Sequence, residues 1–473
     1  MIRVLLVWIY VGVLSINAWR DWFTSACGLV LMVAAVQHPD MPRNIAGIQG
    51  LNPWNLLMLF TVVAWLMMRR RERLTWDMPR HVTGMLLVYL LVVLVAFARM
   101  IVDREPYLAD ESFPFLISEY VINAVKWVVP GLMLFDGCRN RRRLTLAVLC
   151  VLAVYFLLAV QVIRWMPLSS ATSGFSLMLR SRKIISSEIG FHAVNMSMLL
   201  SGGSWAVLAA TPLLRRRWQK LAAVGAFFVI ALGQALTAGR MGYVTWGVVG
   251  LLLCFLRWRI YLWLLPLVPV LIMAVLPGTA DRLLEGFGAR DVHGEAIADD
   301  QQITSGRTEV WPLVLEKIVR SPAIGHGRLG MRRTGLANYI LETKREGFDH
   351  PHNAYLEWIL DNGLIGFVLV MPFYAMMVWY AVRLFRDRGD PACAAVGGVA
   401  LALLLALLVA GMGSQTFYPR EGAVGMWCAI MLMLRVYVQR FGVRAAVPGV
   451  RVAGVHPAGG QRPSGPSGGG GRP

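Results

Sequence analysis

The chain of 473 residues is 57% hydrophobic and 15% charged, whereas soluble domains typically carry about a quarter of charged residues. This composition excludes a soluble protein and predicts a polytopic membrane protein. The formal net charge of +19 comes largely from arginine clusters at the ends of apolar segments, which is typical of cytoplasmic loops, so no nucleic-acid partner is predicted.

Apolar segments of about the length that crosses a bilayer recur along the chain. Because lipid admits only helices and closed barrels, the predicted fold is all-α, a polytopic membrane bundle of about 12–13 transmembrane helices with one large outer loop. The predicted spans lie near residues 4–18, 22–37, 54–68, 82–102, 118–136, 143–166, 189–211, 219–238, 241–256, 260–277, 363–383, 391–411 and 423–438.

Basic clusters in alternate loops predict the orientation and divide the chain into four parts. N-terminal transmembrane helices occupy 1–277, and a large polar loop on the outer side occupies 278–362. C-terminal transmembrane helices occupy 363–440. Residues 441–473 are rich in Gly, Pro and Ser and are expected to form a disordered cytoplasmic tail.

Chemistry outside the membrane has few places to occur, and the end of the polar loop is the best candidate. His352 precedes Asn353, which is a good helix N-cap, and residues 354–361 read as a short helix. Gly363 can end this helix before a new span begins at Leu364. The pattern predicts a reachable histidine at the outer membrane surface.

The sequence His352-Asn353, followed after nine residues by Gly363-x-x-Gly366, resembles the signature of the O-antigen ligase and O-antigen polymerase superfamily, membrane glycosyltransferases that use polyprenyl-linked glycans. The similarity covers roughly residues 185–375. Further matching positions are Arg307, Trp311, Pro322, Gly325-His326-Gly327, Thr237-Ala238-Gly239-Arg240 and, more loosely, the stretch from His192 to Asn195.

The resemblance implies roles for three residues. His352 would be the catalytic base that takes a proton from the acceptor hydroxyl, or a residue that only orients the acceptor. Arg240 and Arg307 would bind the donor diphosphate. Further candidates for substrate binding are Arg182, His350 and Arg420; neither the cysteines nor the histidines show metal-ligand spacing, so no metal and no cofactor are predicted.

The resemblance further implies a bacterial inner-membrane enzyme with a periplasmic site. Its partners would be a polyprenyl diphosphate-linked glycan, an acceptor and membrane lipids. The predicted reaction is inverting and metal-independent, and the favoured identity is an O-antigen ligase acting on lipid A core. Alternatives are an O-antigen or exopolysaccharide polymerase, a protein-glycosylating relative, or a lipid or solute permease or flippase, for which Lys126 inside an apolar span is the main indication.

Overall fold

The computed structural model describes residues 2–45, 50–102, 108, 111–264, 266–284, 289–290, 296–297, 306–345, 347–415 and 417–441. Helices dominate these residues, and one antiparallel pair of two-residue strands joins Ala289–Arg290 to Ala296–Ile297. The prediction of an all-α membrane bundle is confirmed.

The described residues up to Leu256 form twelve α-helices of very different lengths. They are α1 (Ile2–Ala18), α2 (Trp22–Leu31), α3 (Pro53–Arg71), α4 (Arg80–Val102), α5 (Phe113–Ile117), α6 (Asn123–Lys126), α7 (Val129–Gly137), α8 (Arg141–Trp165), α9 (Gly174–Ile184), α10 (Ala193–Ala209), α11 (Arg217–Ala235) and α12 (Arg240–Leu256). Short π-helical segments, Ser118–Ile122 and Ile185–Ile189, connect α5 to α6 and follow α9.

The second half contains two short helices, three helices of the outer loop and three long helices. They are α13 (Leu267–Val275), α14 (Pro277–Leu284), α15 (Arg307–Arg320), α16 (Gly330–Arg333), α17 (Leu336–Lys344), α18 (Ala354–Phe385), α19 (Pro391–Ala410) and α20 (Val424–Phe441). The predicted tail beyond Phe441 lies outside the described residues, as do parts of the predicted outer loop, at 285–288, 291–295 and 298–305.

Among the described residues, eight helical stretches are long and apolar enough to cross a membrane, and three shorter apolar helices accompany them. The predicted span at 260–277 is divided. A 3-10 helix at Arg259–Leu264 and the nine residues of α13 replace it. Nine helical residues extend only about 14 Å, against a hydrocarbon core of about 30 Å. Pro266 lies between the two pieces, and its ring prevents a continuous helix.

Helix α18 begins and bends as the sequence predicts. The Asn353 side chain accepts hydrogen bonds from the backbone N–H groups of Tyr355 (3.0 Å) and Leu356 (3.2 Å). Gly363 has φ +69° and ψ −177°, which breaks the helix between 354–362 and the span that follows. A Cβ atom at Gly363 would lie 2.2 Å from the carbonyl oxygen of Ala323, so only glycine fits.

The described part of the outer loop has a small hydrophobic core of its own. Val310, Val314 and Ile318 of α15 pack with Ile340 of α17 and with Leu360 of α18. This packing fixes the loop helices on the short helical segment that precedes Gly363. It therefore determines where the first residue of α15 lies relative to the start of α18.

Candidate functional site

The predicted site residues come from elements that are far apart in the sequence. Arg182 lies in the last turn of α9, and Arg240 is the first residue of α12. Arg307 is the first residue of α15, while His350 and His352 lie in the segment just before α18. The charges of the arginines act on one another and lower the pKa values of the histidines, so folding brings these side chains into one cluster.

The two histidines lie side by side. Their ring centroids are 4.1 Å apart, and the backbone N–H of His352 donates to Nδ1 of His350 (3.2 Å). His352 has φ +49°, a left-handed conformation that is uncommon outside glycine and often marks functional sites. Nε1 of Trp311 in α15 donates to the carbonyl oxygen of Pro351 (3.0 Å) and holds the loop helix against the histidine segment.

Both imidazoles are neutral near pH 7. Burial lowers the pKa of His352 to about 4, and the charges of Arg307 and His192 contribute to the shift. Burial also lowers the pKa of His350 to about 2, together with the charges of His352 and Arg420. A neutral imidazole has a free nitrogen lone pair, which is what a proton acceptor requires.

The arginines of the cluster are crowded by one another. Burial and then the charge of Arg240 lower the pKa of Arg307, whose Nη2 donates to the carbonyl oxygen of Gly413 (3.2 Å). Arg282 of α14 belongs to the same cluster, because burial and the charges of Arg240 and Arg182 lower its pKa to about 10. Sequence reasoning missed Arg282, which reads as an ordinary residue of the polar loop.

Arg420 lies at the edge of this cluster. Its Nη2 donates to Oε1 of Gln415, and Nε2 of Gln415 donates to Oε1 of Glu357 (2.9 Å). Its charge still contributes to the lowered pKa of His350. The structure therefore places Arg420 between the histidines and a second group of charged residues.

That second group is a buried network around Arg328, which sequence reasoning did not identify. Nη1 of Arg328 donates to Glu357 (3.1 Å) and to Asp361 (3.0 Å), and its guanidinium lies 3.4 Å from the ring centroid of Tyr418. Asp361 also accepts from the backbone N–H of Gly330 (2.8 Å). Burial alone would lower the pKa of Arg328, but Tyr418 and the two carboxylates raise it overall.

The turn that precedes Arg328 locks the loop to the short segment of α18. The backbone N–H groups of His326 and Gly327 donate to the carbonyl oxygens of Leu360 (2.7 Å) and Asp361 (2.8 Å). The Gly325-x-Gly327 sequence is therefore a structural turn, with positive φ at both glycines. One signal of the network was visible, since Glu357 and Asp361 are four residues apart on one helix face.

Within the described part of the chain, no group of three His, Cys, Asp or Glu side chains is arranged to hold a metal ion. The buried carboxylates of Glu357 and Asp361 are bound by Arg328, and Asp349, next to His350 in the sequence, is paired with Arg332. What the cluster can do chemically is bind an anion through its guanidinium groups and accept a proton at a neutral imidazole.

A cavity of about 90 Å³ lies between α10, α19 and the start of α20. Its wall is mostly apolar, with Met198, Leu199, Leu403 and Leu407 among the lining residues. Asn195, Gln415 and Arg420 supply polar groups, and Oγ of Ser414 donates to Oδ1 of Asn195 (2.9 Å). The cavity therefore joins an apolar wall to a polar end beside the cluster, an arrangement typical of ligand pockets.

Comparisons with known proteins give two similarities in sequence. Residues 225–371 match a family model described as O-antigen ligase. The chain is also 27% identical over 143 residues to an O-antigen ligase of Pseudomonas aeruginosa. The aligned part covers 30% of this chain and 32% of that protein, so the match spans about a third of the relative's length.

The matched range contains Arg240, Arg307, His350 and His352 and leaves out Arg182 and Arg420. It begins at residue 225, whereas the sequence resemblance was expected to begin near residue 185, so the looser correspondence at His192 to Asn195 falls outside it. The resemblance to the O-antigen ligase superfamily that the sequence predicts is confirmed. Residues 225–371 of this membrane protein are thus similar to the O-antigen ligase family.

Proposed function

We propose that this chain is a glycosyltransferase that moves a glycan from a polyprenyl diphosphate carrier to an acceptor hydroxyl at the periplasmic face of the bacterial inner membrane. The observation that carries the proposal is the neutral imidazole of His352 near the half-buried guanidinium of Arg307, within a cluster of further arginines. The roles of His352, Arg240 and Arg307 are part of the proposal.

The reaction uses the two chemical properties of the cluster. The acceptor oxygen attacks the anomeric carbon of the donor sugar while the bond from that carbon to the diphosphate oxygen breaks. The diphosphate leaves with the electron pair, and Arg240 and Arg307 stabilise its growing negative charge. His352 takes the proton from the acceptor hydroxyl. A single displacement of this kind inverts the anomeric configuration and assigns no step to a metal ion.

Crowding of like charges supports the assignment of an anionic donor. A diphosphate that binds among arginines that lower one another's pKa would reduce their mutual repulsion. The apolar cavity beside Arg420 suits the first isoprenoid units of a lipid carrier. Arg182, Arg282, His350 and Arg420 are proposed as supporting contacts to the donor or the acceptor.

The acceptor decides which member of the superfamily the enzyme is. We favour lipid A core, which would make the protein an O-antigen ligase. Transfer to the end of another carrier-linked glycan would make it a polymerase. For the permease alternative, the main indication is Lys126, and its ammonium lies over the rings of Trp127 (4.5 Å) and Trp54 (5.8 Å), which gives it a local stabilising role.

The test is transfer by the purified full-length protein in lipid nanodiscs. A polyprenyl diphosphate glycan is offered with lipid A core in one reaction and without it in another, with EDTA present in parallel samples. We expect a product only with lipid A core, inverted configuration by NMR, and no effect of EDTA. Elongated carrier-linked glycan without lipid A would instead identify a polymerase, and inhibition by EDTA would overturn the metal-independent mechanism.

The same assay tests the site. Arg307→Ala and His352→Ala are compared with Arg320→Ala, which removes an exposed arginine from the other end of α15. We expect transfer to be lost in the first two variants and kept in the third. Undiminished transfer in both site variants would overturn the assignment of the site.

A further inference from the structure

Helix α15 of the outer loop has two apolar faces, and only one of them is buried in the small hydrophobic core of the loop. Val310, Val314 and Ile318 are buried in the small core of the loop. On another face, Pro312 is exposed together with Leu315 (49%) and Val319 (75%). Positions spaced by three and four residues share one face of a helix, so these residues form a continuous apolar stripe along the described helix.

The stripe continues into the residues that follow α15. Pro322 and Ala323 are exposed, and Ile324 is 54% exposed. Their backbone is fixed to the start of the membrane span, because the N–H of Leu364 donates to the carbonyl oxygen of Pro322 (2.8 Å) and the N–H of Ile365 donates to that of Ala323 (3.1 Å).

The neighbouring surface of the span faces outward from the protein. Leu364 is 50% exposed and Ile365 is 53% exposed, at the beginning of a helix that is long and apolar enough to cross a bilayer. Nη1 of Arg99, near the end of α4, donates to the carbonyl oxygen of Gly325 (2.6 Å) and ties the same segment to a second span. The exposed stripe of α15 is thus continuous with a lipid-facing surface.

We propose that α15 lies along the outer surface of the membrane, with the stripe formed by Pro312, Leu315, Val319 and Ile324 in contact with lipid. Amphipathic helices of this kind bury an apolar face at the boundary between head groups and acyl chains. The stripe extends along the helix rather than being confined to its end, so the helix is parallel to the membrane plane.

This orientation of α15 also determines the depth of Arg307 relative to the membrane. Only this step of the inference rests on the proposed function. A helix of 14 residues is about 21 Å long, so an upright α15 would carry its first residue far above the bilayer. A helix that lies flat keeps Arg307 at head-group depth, where the diphosphate of a lipid carrier is found. The lipid contact sets the height of the arginine.

The lipid contact is tested with nitroxide spin labels on the full-length protein in lipid nanodiscs. Val319→Cys and Leu315→Cys are labelled singly, with Ile365→Cys as the lipid reference and Glu342→Cys, on the exposed side of α17, as the aqueous reference. The six native cysteines are free and buried, and the unsubstituted chain measures any background labelling.

Accessibility to oxygen, which partitions into lipid, is compared with accessibility to a water-soluble nickel chelate. We expect labels at Val319 and Leu315 to favour oxygen over nickel severalfold, as at Ile365, and the label at Glu342 to show the reverse. Labels at both stripe positions that behave like Glu342 would overturn the proposal. The measurement involves no transfer reaction, so its result is independent of the proposed enzymatic activity.

Discussion

Two groups of buried arginines lie next to each other in this protein and differ in what surrounds them. Arg328 is held by two carboxylates and by the ring of Tyr418, which raise its pKa. Burial and the charges of other arginines instead lower the pKa values of Arg307 and Arg282. The first group is therefore an internal ion-pair network, whereas anion binding by the second is the role proposed above.

The largest expected effect is on catalysis by the histidine of the crowded cluster. In His352→Ala, we expect kcat for glycan transfer to fall by about 10²- to 10⁴-fold, because general-base catalysis contributes that much. The thermal unfolding temperature should change little. The control is His38→Ala, which removes a histidine near the N-terminal helices. If His352→Ala kept the wild-type kcat, His352 would not be the catalytic base.

Replacement of Arg328 by methionine should lower the stability of the protein, whereas the same replacement at Arg307 should not. Arg328→Met leaves Glu357 and Asp361 buried without their cation, and breaking a buried pair in this way costs about 3–5 kcal/mol. Arg307→Met removes one of several crowded positive charges and should leave stability unchanged or increase it. Thermal unfolding of both variants in the same detergent measures the difference.

A compensating variant controls for a general packing defect at position 328. Neutralising both carboxylates in Arg328→Met/Glu357→Gln/Asp361→Asn should recover part of the lost stability, since no uncompensated charge remains buried. Equal destabilisation by Arg328→Met and Arg307→Met would remove the distinction between the two groups.

Binding of a diphosphate should stabilise the protein through the crowded cluster. Farnesyl diphosphate at about 100 times its Kd would add about 2.7 kcal/mol to the free energy of unfolding. We expect this gain in the wild type and in Arg320→Gln but not in Arg307→Gln. The readout is the unfolding temperature with and without the ligand. The same gain in Arg307→Gln would show that the arginine does not bind the diphosphate.

Much of the local structure around the site could be predicted from the sequence. The N-cap at Asn353 and the break at Gly363 follow from residue types whose conformational preferences act over a few positions. Arg240, Arg307 and His352 were found through a family motif. The structure shows that they form one cluster, and their chemical roles stay predictions.

The rest depends on contacts between residues that are distant in the sequence. Arg328 meets its carboxylates 29 and 33 positions later, and nothing in the local pattern of the turn indicates a buried ion pair. Arg282 joins the cluster because α14 folds against α9, and the sequence does not reveal that packing. The exposed apolar stripe of α15 could not be predicted, because one helix carries both a buried and an exposed apolar face.

The pH dependence of transfer should separate His352 from an ordinary exposed histidine. Its active form is neutral, so activity is lost as pH falls through the pKa of the free enzyme, which is lowered to about 4. We expect kcat/KM to stay level through pH 6.5 and to decline only towards pH 4. In Arg307→Gln, which is expected to lack transfer activity, the pKa of His352 measured by NMR should rise, because one neighbouring positive charge is gone. A decline of kcat/KM centred on pH 6.5 in the wild type would contradict the lowered pKa of His352.

The smallest expected effect concerns the helix cap between the two groups. Asn353 follows His352 directly and caps the helical segment that carries Glu357 and Asp361, so it links the proposed catalytic residue to the network around Arg328. Asn353→Ala should cost about 1 kcal/mol of stability, the usual value of an N-cap, while Asn353→Ser should keep most of it. Thermal unfolding compares the two variants, and kcat is measured in parallel. Because the cap fixes the backbone next to His352, we expect kcat to fall in Asn353→Ala and to recover in Asn353→Ser. Loss of stability without loss of kcat would mean that the contacts of Trp311 and Gly411 to this segment position His352 without help from the cap.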